Sequence, residues 1–154
     1  MNIAEDLIKD KNRELVGVPA STTVKDGIAL MLHENVGCLL ISVDGKIGGI
    51  WSERDLARSL AHKGFDIGAD EIGDYMNSPL HSCKWNDSVY SLMDKFLGLR
   101  VRHLLVEKDG EYIGLLSAGD VMKASIRAKD HDLAKANSRL SWDYYEEWMY
   151  KQPV

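Results

Sequence analysis

The chain has 154 residues, 45% hydrophobic and 28% charged, with 19 basic and 24 acidic side chains and a formal net charge of −5. Such a length suits one domain, or two small halves sharing a core, and the composition is that of a folded globular protein. The acidic balance argues against a nucleic-acid partner, whose phosphates reward clustered Lys and Arg. No apolar run approaches the roughly 18 residues of a membrane span, so no membrane partner is expected.

Residues 1–13 carry Ile3, Ala4, Leu7 and Ile8 at helical spacing within a charged stretch. The pattern predicts a short amphipathic helix and is unlike a secretory signal. A first unit spans 14–63. It opens with a strand near Val16–Val18, then a helix capped by Thr23 with Val24, Ile28, Met31 and Leu32 on its apolar side. Two strands flank Asp44-Gly45, a strong hairpin signal, and a second helix starts at Ser52. A linker over 64–79 holds three glycines and Pro79, with a helical turn around Glu71–Met76. A second unit spans 80–128: a strand near His81–Cys83, a helix capped by Ser88, a hairpin at Asp109-Gly110 and a helix from Ser117. The tail 129–154 places Leu140, Tyr144 and Trp148 four residues apart, with Tyr145 and Met149 beside them. It reads as an aromatic helix, either folded on its own chain or held for a partner.

The two units are copies. Residues 16–61 lie over 81–126 without a gap at an offset of 65, matching Val24 to Val89, Leu32 to Leu97, Leu39-Leu40 to Leu104-Leu105, and Asp44-Gly45 to Asp109-Gly110. A duplicated supersecondary unit is the simplest source of that pattern. The expected fold is therefore mixed α/β (α+β): two pseudo-symmetric β-α-β-β-α repeats packed into one module, with helical extensions at both ends. Each repeat ends its last strand on one motif, "GIWSERDL" at Gly49–Leu56 and "GLLSAGDV" at Gly114–Val121.

Ser-x-x-Asp at a strand-to-helix junction has two readings. It is a capping box, with the acidic side chain suited to the positive end of the helix dipole. It is equally a place where a phosphate meets free backbone N–H groups and a carboxylate accepts both hydroxyls of a ribose. The glycine ahead of each apolar run would admit a ligand close to the backbone. Both readings stay open on the residues alone. Trp51, just before the first motif serine, is read as a packing residue rather than a stacking platform.

The duplicated β-α-β-β-α pattern, the paired Gly-apolar-apolar-Ser-x-x-Asp motif and "LRVRHLLVEKDG" together resemble a tandem pair of cystathionine β-synthase (CBS) domains over about residues 14–128. "SERDLARSLAHKG" also resembles stand-alone CBS-pair proteins, often called Bateman modules. The resemblance implies a regulatory module that binds AMP, or ADP, ATP, NAD or S-adenosylmethionine, between the halves. It implies ribose contacts from Asp55 and Asp120, and phosphate or ribose contacts from Ser52 and Ser117. Arg54, Arg102 and His103 are implied near phosphate, with Val18 and Cys83 on the strands lining adenine slots. Where relatives often have Thr before those strand residues, this chain has Gly17 and Ser82; Ser82 thus gives the second site a hydroxyl. That second site carries Ala118 and Gly119 where the first has Arg54, so the clefts are expected to differ. A homodimer and a separately encoded regulated protein partner are also implied.

Other chemistry finds little support. The five histidines lack metal-ligand spacing, and no Gly-rich phosphate loop is present. Ser52 and Ser117 have no base pattern, so no catalytic residues are assigned and no enzyme is expected. Cys38 and Cys83 read as ordinary buried thiols of a reducing, cytoplasmic setting. The functional expectation is AMP sensing without catalysis; the alternative is an interaction module with vestigial nucleotide sites, acting through its aromatic tail.

Overall fold

In the computed structural model the described residues run from Ile3 to Ala134. The aromatic stretch from Leu140 to Met149 lies outside them. Thr23 and Ser88 accept hydrogen bonds from the backbone N–H of Asp26 and Ser91, each three residues on, and start α2 (Val24–Glu34) and the matching α4 (Val89–Leu99). Asn35 and Arg100 end those helices in the left-handed region. Leu32 and Leu97, expected on the apolar faces, are instead exposed on the outer surface.

In the first half, β1 (Gly17–Pro19) pairs parallel with β2 (Cys38–Val43), which pairs antiparallel with β3 (Lys46–Ser52); α3 (Glu53–Ser59) follows. The second half repeats this with β4 (Ser82–Lys84), β5 (His103–Lys108), β6 (Glu111–Ser117) and α5 (Ala118–Ala134). Asp44-Gly45 and Asp109-Gly110 all have positive φ, between 51° and 85°, the geometry of a type I′ turn. Each sheet is three-stranded, and its register is copied at the repeat offset: Leu40 lies opposite Ile50 as Leu105 lies opposite Leu115. α5 runs unbroken through residue 128, so the expected boundary there is marked by no structural feature.

The halves exchange straps. α1 (Ala4–Lys11) does not cover its own repeat; Ala4 and Leu7 are buried in the core of the second, with Leu92, Leu104, Leu116 and Val121. Conversely Ile72, in the short 3-10 turn Ile72–Asp74 of the linker, is buried in the core of the first with Val24, Leu39 and Trp51. Backbone N–H groups fasten both straps: Ala4 donates to Asp87 O and Val24 to Asp70 O, each at 2.9 Å. The glycines of the two motifs are explained here, against the expectation that they admit a ligand. A Cβ on Gly49 would overlap Met76, and one on Gly114 would overlap Ile8, so the crossing straps already use the space.

Trp51 is fully buried, as a packing residue should be, and its ring meets the bare face of Gly27 on α2. The second half places Leu116 and Leu92 at the corresponding positions, both fully buried. A large and a small residue in one core do the work of two middling ones in the other.

Candidate functional site

Each last strand delivers its motif serine to the N-terminus of a helix, where backbone N–H groups lack partners. Asp55 closes that end. Its Oδ2 accepts from the Ser52 backbone N–H at 2.9 Å and from Ser52 Oγ at 2.5 Å. Its Oδ1 has only a long contact, 3.5 Å, with the Arg58 guanidinium. Asp120 copies the cap, with Oδ2 accepting from Ser117 N at 2.7 Å and Ser117 Oγ at 2.8 Å. Both motif hydroxyls therefore donate to their own carboxylates, and the capping reading of the sequence is realised in each half.

Room remains beside both caps. The Asp55 cleft is a cavity of about 320 Å³ bounded by Ser52, Arg54, Arg58, the 77–81 segment, and Arg100 to His103. Its apolar side is Ile50, Leu80, Val101, Leu105 and Leu115. That volume lies at the small end of the roughly 300–1,000 Å³ range for ligand pockets. The Asp120 cleft, about 260 Å³, is built from the equivalent places: residues 13–16, Asn35 to Cys38, Leu115 and Ser117. One difference between them comes from the straps. Lys11, the last residue of α1, reaches into the Asp120 cleft and donates to Asp120 Oδ2 at 2.8 Å and to Leu115 O at 3.0 Å. Met76 occupies the corresponding position of the other strap and has no charge to offer.

The electrostatics follow the same division. Four arginines against Asp55 give the first cleft a net formal charge of +3; Lys11 and Arg13 against Glu14 and Asp120 give the second zero. Burial alone would raise the Asp120 carboxyl, but Lys11 and the Ser117 amide and hydroxyl outweigh it and hold the group below its usual range. His103 borders both clefts, and its imidazole is held down by burial first, then by Lys11 and Arg102. Burial pushes Cys38 and Cys83 up to about 11, so both thiols stay protonated at neutral pH. Among the described residues no group of three His, Cys, Asp or Glu could hold a metal ion.

Of the residues singled out in the sequence, Ser52, Arg54, Asp55, Arg102 and His103 meet in the Asp55 cleft, and His103, Ser117 and Asp120 in the other. Val18, Ser82 and Cys83 line neither. Val18 packs on the first core, Cys83 is buried in the second, and Ser82 Oγ donates to Glu107 at 3.5 Å. The strand-side lining falls two residues earlier, at Val16 and His81, where the chain has not yet entered its sheet. Sequence reasoning also missed Arg58, Arg100 and Lys11. Arg58 and Arg100 flank the motifs within a few residues, a usable signal; Lys11 comes from a strap whose crossing no local pattern announces.

A family model described as the CBS domain matches residues 4–62 and 72–127, so both straps fall inside matched segments. The chain is 28% identical over 148 residues to the mitochondrial CBS domain-containing protein CBSX3 of Arabidopsis thaliana, covering 90% of this chain and 72% of that one. Among solved structures, the CBS-domain containing protein ATU1752 of Agrobacterium tumefaciens aligns with a TM-score of 0.75 at 29% identity, over 80% of this chain and 99% of its own. The CBS domain protein PAE2072 of Pyrobaculum aerophilum, solved in complex with AMP, aligns with a TM-score of 0.66 at 25% identity, over 77% and 89% of the two chains. No helix among the described residues is long and apolar enough to cross a membrane.

Proposed function

The chain belongs to the CBS-domain family, as a tandem pair, and from that premise we propose that it is a regulatory module binding an adenine nucleotide in the Asp55 cleft, without catalysis. One observation carries the choice of cleft: Lys11 reaches into the Asp120 cleft and binds its aspartate, whereas no lysine lines the Asp55 cleft. The carboxylate oxygen accepts ribose hydroxyls, the apolar wall holds the base, and Arg54, Arg102 and His103 meet phosphate. AMP is the smallest ligand that uses all three features, and the AMP complex of the Pyrobaculum relative supports the class. ADP, ATP, NAD and S-adenosylmethionine share its adenosine half.

Ligand acts by differential affinity for two arrangements of the halves, and so alters affinity for a regulated protein. The homodimer reading draws support from exposed Leu32 and Leu97, at equivalent places on α2 and α4, and from Met122 on α5. The rival reading, an interaction module with vestigial sites, is favoured by one observation: each aspartate already completes a cap. Calorimetric titration decides between them. AMP binding that falls about 10- to 100-fold in Asp55→Ala and little in Asp120→Ala supports the nucleotide reading, as loss of hydrogen bonds to a charged group should. Absence of binding by any adenine compound below about millimolar, a free energy near −4 kcal/mol, would give the function to the interaction module.

A further inference from the structure

The Asp55 cleft holds more positive charge than one phosphate requires. Arg54, Arg58, Arg100 and Arg102 come from three places in the chain, α3, the end of α4 and the approach to β5, and converge on one cavity with all four side chains exposed at its rim. The guanidinium groups of Arg54, Arg100 and Arg102 have no carboxylate partner among the described residues. At the equivalent places of the other half stand Gly119, Asn35 and Gly37, and only Arg58 has a basic counterpart, Lys123. The surplus charge is thus peculiar to one cleft and is no by-product of the duplication. Like charges gathered on one rim repel one another, and a ligand carrying several negative charges relieves that repulsion. A nucleoside monophosphate brings at most two negative charges; a di- or triphosphate brings more and spans more of the rim.

We infer that the Asp55 cleft recognises an adenosine polyphosphate, ADP or ATP, in preference to AMP, with Arg54 and Arg102 extending their phosphate contacts beyond the first phosphate. The inference rests on the reading of this cleft as the nucleotide site. The full chain is titrated with AMP, ADP and ATP in magnesium-free buffer, because the metal would neutralise the charge under test. Affinity should rise along that series by about tenfold or more in total, as several modest exposed ion pairs acting together would give. Added salt should weaken ATP more than AMP. Arg54→Gln combined with Arg102→Gln should weaken ATP far more than AMP and so remove most of the ATP advantage, whereas Asp55→Asn should weaken all three alike. AMP binding as tightly as ATP overturns the inference and leaves the nucleotide reading standing. An ATP advantage that survives the double arginine variant overturns it too. Failure of all three to bind overturns both.

Discussion

The two halves share a backbone and a register but answer two questions differently: how to fill a core, and what to place in a cleft. In the first half Trp51 lies against Gly27; in the second, Leu116 and Leu92 stand at the corresponding places of one core, both fully buried. Side-chain volume has moved between two facing positions while the strands and helices stayed in place. In the clefts the exchange is of charge: the first has arginines and no lysine, the second a lysine bound to its own aspartate. Core differences compensate one another because packing constrains the sum of volumes. Cleft differences do not compensate, because a cleft is constrained only by its ligand.

The largest expected effect breaks the core comparison. Trp51→Leu leaves a void beside Gly27 and should cost about 2–4 kcal/mol, at the scale of large-to-small core substitutions. The loss is moderated because Trp51 Nε1 is buried with no hydrogen-bond partner among the described residues. Gly27→Leu alone should cost about 1–3 kcal/mol, since even a Cβ there stands 3.3 Å from Ile72 Cγ2 and 3.5 Å from the Trp51 ring. Together they copy the second half, and the pair should recover well over half of the summed loss. Urea unfolding of the four proteins measures the coupling; strictly additive losses would mean the two positions do not share volume.

That core was legible in part. The hairpins, the capping residues and the duplication itself could be read because each is written locally: Asp-Gly forces a type I′ turn, and Thr23 or Ser88 satisfies an orphan amide. The strap exchange could not. Leu7 and Ile72 stand at the repeat offset, but their flanks differ, one in a regular helix and one in a single 3-10 turn, so the match is lost in ordinary apolar spacing. Missing the straps led to two errors about the site. Gly49 and Gly114 read in the sequence as room for a ligand, whereas Met76 and Ile8 require them, and Lys11 leaves no local signal of its reach into the cleft. Val18 and Cys83 stand off the clefts for another reason. Strand periodicity says which residues share a face, not which face the sheet turns to its own core.

A middle-sized effect sharpens the cleft comparison. Lys11→Met gives the α1 strap the residue that Met76 supplies to the other, removing the lysine from Leu115 O and from Asp120, which keeps its cap with Ser117. Arg13 then stands against Glu14 and Asp120, a net formal charge of −1, so the opened cleft should favour an uncharged ligand. Calorimetry with adenosine at saturation should count one ligand per chain for the parent and two for the variant. An unchanged count would mean that Lys11 is not what closes the second cleft.

The smallest effect concerns the titratable residue that lines both clefts. His103 corresponds by offset to Cys38, whose thiol burial pushes up to about 11. At the meeting of the halves, one copy thus contributes an imidazole and the other a thiol that stays protonated at neutral pH. Around His103 stand Lys11 of α1, Arg102 beside β5, Asp55 of α3 and Asp120 of α5; burial and the two cations outweigh the two carboxylates, and the folded-state value falls below 6.5. Between that lowered value and the ordinary one, the unfolded chain binds more protons than the folded chain, so stability rises with pH through that window and declines as pH falls below about 6.5. Asp120 acts in a separate window: its contribution is present above the ordinary carboxylate value and is lost as pH falls through its lower folded value. His103→Cys, which copies the other half, should flatten the upper slope and leave the acidic one. Melting temperatures of both proteins from about pH 7 to pH 4 separate the two windows. An upper slope that persists in the variant would assign the proton to another group. Phosphate arriving beside His103 should raise its affinity for a proton, so nucleotide binding below about pH 6.5 should take up protons in the parent and not in His103→Cys, as calorimetry in buffers of different ionisation enthalpy would show.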